Sequence, residues 1–94
     1  MARFENLRWN PSNINHILRH GVRTGEVIEA LRDAVHVEST YGGRLLMIGA
    51  TAAGRYIAVI LDPEPIDVYF PVTARPASRK ERARLAVHRQ EQQP

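Results

Sequence analysis

Apolar residues recur along this chain with two different spacings, and the change from one to the other falls near Ala34. Before it, the spacing is that of helices. Asn10-Pro11 predicts a helix start, with the Asn oxygen free to accept a first-turn amide and Pro at the first position, where its missing N–H is not needed. Ile14, Ile17 and Leu18 then fall at i, i+3, i+4 as one apolar stripe, and Gly21 ends the helix. A second helix follows Thr24, with Glu26 in the first turn, where the helix dipole favours a carboxylate, and with Val27, Ile28 and Leu31 expected to face inward. Ahead of both, Phe4, Leu7 and Trp9 suggest a short first strand of imperfect alternation.

After Ala34 the period is that of strands. Val35 and Val37 alternate with His36 and Glu38, and Gly42-Gly43 makes a turn. Leu45–Ile48 and Tyr56–Leu61 are continuous apolar runs bounded by Gly49, Gly54 and Pro63, a pattern suited to central strands covered on both faces. Ile66, Val68, Phe70 and Val72 alternate with Asp67, Tyr69, Pro71 and Thr73, so one face is expected buried and one open. Pro71 cannot donate to a ladder, which places a bulge or a free edge near it. Short connections imply an antiparallel meander. Ser78-Arg79-Lys80-Glu81 has the spacing of a capping box and predicts a final helix into the 80s, with a frayed tail over 90–94. The expectation is a single α+β domain over 1–94 in two layers: a twisted antiparallel sheet of four to five strands, two N-terminal helices and one C-terminal helix.

Composition changes this picture in one respect. The 94 residues suit one core, and 44% hydrophobic with 24% charged residues is ordinary for a globular domain. Cysteine is absent, which excludes disulfides and Cys-based zinc sites. No apolar run suits a signal peptide or a membrane span, so a cytoplasmic protein with no membrane partner is expected. Thirteen basic residues stand against ten acidic ones, a net charge of +3 and a pI near 10.0, and every basic residue except Lys80 is arginine. Arginine binds phosphate through a planar fork and keeps its proton, so the bias favours phosphate-bearing partners; a GC-rich coding bias gives the same composition without function. Position along the chain has to decide.

Three positions concentrate the candidate chemistry. Arg79 and Lys80 lie in the first turn of the capped final helix, where the dipole already supplies positive charge, at a local cost of up to about 1 kcal/mol each. An anion docked on the free amides would relieve that conflict, and Arg75 just upstream adds a second fork. Pairing of this basic helix end with Glu81 or Glu64 explains it equally well. Arg55 opens the most hydrophobic strand directly after Gly54. If neighbouring strands are antiparallel, the start of one meets the end of the next, which puts Arg55, Arg75 and Arg79 on one rim; Arg44, at the start of the preceding strand, belongs to the opposite end. Lys80, Arg82, Arg44 and Tyr69 are further candidates for contact with RNA or phosphate, Tyr69 by stacking or simply by packing. His16, His20, His36 and His88 show no metal-ligand spacing supported by carboxylates, so neither a metal site nor a cofactor is expected.

In order along the chain, Trp9-Asn10-Pro11 and Leu18-Arg19-His20-Gly21-Val22 resemble the W-D-P…(K/R)-H-G-V opening of the BrnT toxins of bacterial toxin–antitoxin pairs. Arg44…Ile48-Gly49 and Gly54-Arg55-Tyr56-Ile57-Ala58-Val59 are similar to their middle strands. Thr73-Ala74-Arg75-Pro76-Ala77-Ser78-Arg79-Lys80-Glu81-Arg82 is similar to their closing A-R-(P/R)-A-x-R-x-E-R signature. Asn10 stands where that family has Asp, and Arg82-Ala83-Arg84-Leu85-Ala86-Val87 lacks its late tyrosine. The resemblance implies a RelE-like ribonuclease fold, metal-independent RNA cleavage, Arg55, Arg75 and Arg79 as the catalytic arginines, and neutralisation by a BrnA-like ribbon-helix-helix antitoxin that also tethers the complex to operator DNA. A non-catalytic basic module that grips nucleic acid or an antitoxin, and an interaction protein whose arginines meet an acidic tail, are the alternatives.

Overall fold

The computed structural model describes residues 6–32 and 36–92, with side chains through residue 87. Its elements are α1 (Pro11–Arg19), α2 (Thr24–Ala30), β1 (His36–Ser39), a single 3-10 turn at Tyr41–Gly43, β2 (Leu45–Ala50), β3 (Tyr56–Glu64), β4 (Val68–Pro76) and α3 (Arg79–Gln92). The expected α+β meander is present. Its four strands pair in chain order, each antiparallel to the next.

Asn10 caps α1 as its sequence predicts, accepting from the Asn13 amide at 2.9 Å, while the Asn10 amide donates to Asn13 Oδ1 at 2.8 Å. Asn13 itself was not legible as a structural residue. Buried on the inner side of the first turn of α1, it donates from Nδ2 to the carbonyls of Arg8 and Pro71, both at 3.1 Å. One amide group thus fastens α1 to the N-terminal segment and to β4, and leaves none of its own polar atoms orphaned in the interior. The expected first strand is reduced to a single parallel bridge between Leu7 and Tyr69, with Phe4 outside the described residues.

Successive side chains on a strand point to opposite faces, so the sheet carries two cores. On one face Met47, Ile57, Val59, Leu61 and Ala74 pack against Ile17, Val22, Val27, Ala30 and Leu31 of the helical pair and its turns. On the other, Leu46, Ile48 and Ala58 meet Leu85 of α3. This accounts for the unbroken apolar runs of β2 and β3. It also replaces the expected two layers with three, because α3 returns over the face that α1 and α2 leave open. At Gly49 the end of α2 lies against β2: a Cβ built there would lie 2.0 Å from the Ala30 carbonyl oxygen. Gly21, at φ 75°, turns the chain out of α1 in the left-handed conformation expected of a helix stop.

Several inward assignments were misphased. Leu18 and Ile28 are exposed, since helices of nine and seven residues each bury only a narrow stripe. Val37 is exposed whereas His36 and Glu38 are half-buried, because β1 is an edge strand beyond the cover of the helical pair and its other face looks toward α3. Val35 lies outside the described residues. In β4, Pro71 is fully buried while Ile66, in the turn before it, is exposed. Ile66 precedes the first residue of β4 and so takes no part in its alternation, and Pro71 stands opposite Leu61 on the helical-pair face. Of the bulge or free edge expected near Pro71 there is a bulge: Ile60 pairs with Thr73 but Leu61 with Pro71, which makes Val72 the extra residue and reverses the phase beyond it.

Candidate nucleic-acid interface

At one end of the sheet the last residues of β4 pass beside the first of β3. Ile57 pairs with Pro76, Ala58 pairs with Arg75, and the Ala77 amide donates to the Tyr56 carbonyl at 3.0 Å. The backbones of Arg55, Arg75 and Arg79 therefore do share a rim, as antiparallel pairing demands. Their side chains do not share a face.

Arg75, opposite Ala58, stands on the α3 face. Its Nη1 and Nη2 donate to Glu81 Oε1 and Oε2 at 2.7 and 2.9 Å. Glu81 is held from a second side by the Ser78 amide at 2.8 Å, and its own amide donates to Ser78 Oγ at 3.2 Å, which closes the capping box that the Ser-x-x-Glu spacing predicts. The fork from Arg75, with help from the Ser78 amide, holds the Glu81 carboxyl down to about 2 against its burial; the same fork raises Arg75. Glu81 is thus the carboxylate, of the two weighed for the basic helix end, that pairs with Arg75.

Arg55 turns the other way. Its Nη1 donates to the Gly21 carbonyl at 2.8 Å and to both Glu26 oxygens at 2.9 and 3.1 Å, which ties the end of α1 to the first turn of α2. Glu26 also accepts the Arg23 amide at 3.0 Å, and that bond, followed by the Arg55 contacts, lowers its pKa. The loop that carries Arg55 is equally tied: the Arg55 amide donates to Thr51 Oγ1 at 3.1 Å, and the Ala52 amide to Glu29 Oε1 at 3.2 Å. The expectation that three guanidinium groups gather beside the last helix is therefore corrected. Arg55 has the strand parity of Ile57, on the helical-pair face, and Arg75 has the opposite parity. Counting the pleat from a known register would have revealed it.

Arg79, Lys80 and Arg82 are exposed on the first turns of α3 and have no ion-pair partner among the described residues. Further along α3, Arg84 is taken by Glu38 of β1 at 2.7 Å. Arg44 is exposed beside Tyr41 in the β1–β2 turn, at the far end of the sheet as expected. Tyr69 also lies at that far end, opposite Pro63, where it packs against the helical-pair core near Leu7 and Trp9. Neither accompanies the start of α3. His16 and His20 meet edge-on along α1, ring centres 5.2 Å apart. Among the described residues, no three His, Cys, Asp or Glu side chains come together in a group that could hold a metal ion.

In comparison with known proteins, the chain matches no family model and no curated protein.

Proposed function

We propose that this chain is an RNA-directed toxin domain of the BrnT kind: an endoribonuclease that inhibits translation by metal-independent cleavage, on a sheet-and-helix frame read as RelE-like. The observation that carries the proposal is the cation cluster around the start of α3. Arg75, Arg79, Lys80 and Arg82 surround a turn whose amides already favour an anion, and Arg75 alone among them is matched by a described carboxylate. Four cations at one helix start, with one counter-charge, leave an electrostatic demand that a polyanion meets.

In the proposed reaction a ribose 2′-hydroxyl gives up its proton to water and attacks the adjacent phosphorus. The bond to the 5′-oxygen of the next nucleotide breaks, that oxygen taking a proton from water, which gives a 2′,3′-cyclic phosphate and a 5′-hydroxyl. Negative charge gathers on the phosphoryl oxygens in the transition state, where a fixed guanidinium stabilises it. Arg75 takes that role, and Arg79, Lys80 and Arg82 position the flanking phosphates. Arg55, committed to Gly21 and Glu26 on the other face, holds the α1–α2 turn and takes no part in the reaction. Glu81, ionised down to about pH 2, is too weak a base to accept the 2′-hydroxyl proton. A BrnA-like ribbon-helix-helix antitoxin would neutralise the toxin and carry it to operator DNA. The proposed setting is the cytoplasm; among the described residues no helix is long and apolar enough to cross a membrane.

A second reading, a basic module that binds nucleic acid or an antitoxin without cleavage, is favoured by one observation: two of the three proposed arginines already face carboxylates. Incubating RNA with the protein in EDTA separates the two. Cleavage that falls roughly a hundred- to a thousandfold in Arg75→Ala supports the nuclease. Binding without cleavage, weakening with salt at a log–log slope of about −0.7 per phosphate contact, supports the module and overturns the nuclease.

A further inference from the structure

Arginine carries five N–H donors arranged along two useful edges: an end-on edge formed by Nη1 and Nη2, and a side-on edge formed by Nε and the outer hydrogen of Nη2. Elsewhere in this molecule the side-on edge is used: Arg8 grips Glu64 through Nε and Nη2 at 2.7 and 2.8 Å. Arg75 grips Glu81 through Nη1 and Nη2 instead, with a long Nη1 contact of 3.4 Å to the Pro76 carbonyl, and its Nε bonds to no described residue. We propose that Glu81 is a positioning residue: it clamps Arg75 by the end-on edge so that the side-on edge is presented, already oriented, to the RNA phosphate.

Burial argues for positioning over simple masking. The Glu81 side chain is 8% exposed and that of Arg75 43% exposed, so the carboxylate is the buried partner and the guanidinium side chain the one that solvent and a ligand can reach. Glu81 cannot swing away to unmask Arg75 without giving up the Ser78 amide as well. A rotamer-rich side chain is thereby fixed before substrate arrives, which removes an ordering cost from the phosphate contact. The inference rests on the reading of Arg75 as the phosphate contact, and it commits to a residue that would not touch the RNA.

The test is Glu81→Gln in the full chain, because glutamine keeps the capping-box spacing but loses the charge and the second acceptor of the fork. Removing a negative charge beside a polyanion site would by long-range electrostatics alone tighten binding and speed cleavage. Positioning predicts the reverse: kcat falls about ten- to a hundredfold with KM changed little, at a temperature where circular dichroism shows the variant folded. Asn10→Ala, which removes the α1 cap far from the rim, controls for lost stability and retains wild-type cleavage. Cleavage by Glu81→Gln at or above the wild-type rate overturns the inference. If the wild type does not cleave at all, the nuclease reading fails, and the clamp is judged by affinity for a single-stranded RNA oligonucleotide. Weaker binding by Glu81→Gln then supports the clamp, and equal or tighter binding overturns it.

Discussion

Two arginine–glutamate pairs sit at the same end of this sheet, one on each face, and they are built differently. Arg55 spends a single nitrogen on three acceptors, the Gly21 carbonyl just past α1 and the two Glu26 oxygens of α2, all remote in sequence, and closes the turn between the helices. Arg75 meets a glutamate six positions further on, at the start of the helix that follows, and keeps one edge open. The first pair joins elements that would otherwise part. The second joins almost nothing that the chain had not already brought together, so its geometry suits holding a side chain more than holding a fold. Residue type is the same in both; the acceptors and the unused donors are what differ.

The comparison can be broken in either half. The largest effect expected is on the α3 face: Arg75→Ala loses about 3–4 kcal/mol of transition-state stabilisation, read as RNA cleavage at a temperature where the variant is folded. It also lowers the melting temperature, because the buried Glu81 carboxylate keeps only the Ser78 amide. Next, on the helical-pair face, Gly49→Ala drives a Cβ into the Ala30 carbonyl and costs about 3 kcal/mol, read as a fall in the urea midpoint, since the obstacle is backbone and α2 has to lift off β2. Arg55→Ala is expected to cost about 1–2 kcal/mol of stability, as the Arg55 and Glu26 side chains are 36% and 26% exposed and water partly replaces the lost bonds. Cleavage by Arg55→Ala, measured where the variant is folded, should stay within a fewfold of wild type. Equal loss of cleavage in the two arginine variants would erase the distinction.

The smallest effect is a pH dependence. Glu81 titrates near 2 in the folded chain against an ordinary value of 4.5, and Glu26 is lowered too, so folding favours their ionised forms. Their stabilisation is complete above about pH 4.5 and fades as the pH falls toward 2. Urea midpoints should hold between pH 7 and 5 and drop below 4.5, and the drop should be shallower in Glu81→Gln.

Much of the frame was legible because it depends on local chemistry. Asn10-Pro11, Gly21, the Ser78–Glu81 box and the ladder break at Pro71, a bulge or a free edge by sequence and a bulge in the structure, are each decided within a few residues. What was not legible depends on contacts between distant elements. The sequence does not tell which of ten acidic residues an arginine will choose, and Arg55 took Glu26, twenty-nine positions away. Val37 alternates like a buried strand residue but lies on an edge that the short helices do not cover. Asn13 carried no signal beyond its place in the first turn, since its two carbonyl partners come together only when β4 packs under α1. The shared rim of Arg55, Arg75 and Arg79 was inferable from antiparallel pairing, whereas the faces required the register.

The central claim is that RNA phosphate meets the α3 face, through Arg75 and Arg79, and not the helical-pair face. A titration of the full chain with a short single-stranded RNA, followed by NMR at the arginine Nε–H resonances, tests it directly. The account predicts that Arg75 and Arg79 shift while Arg55 stays fixed against Gly21 and Glu26. Shifts at Arg55 with Arg75 unmoved would contradict it.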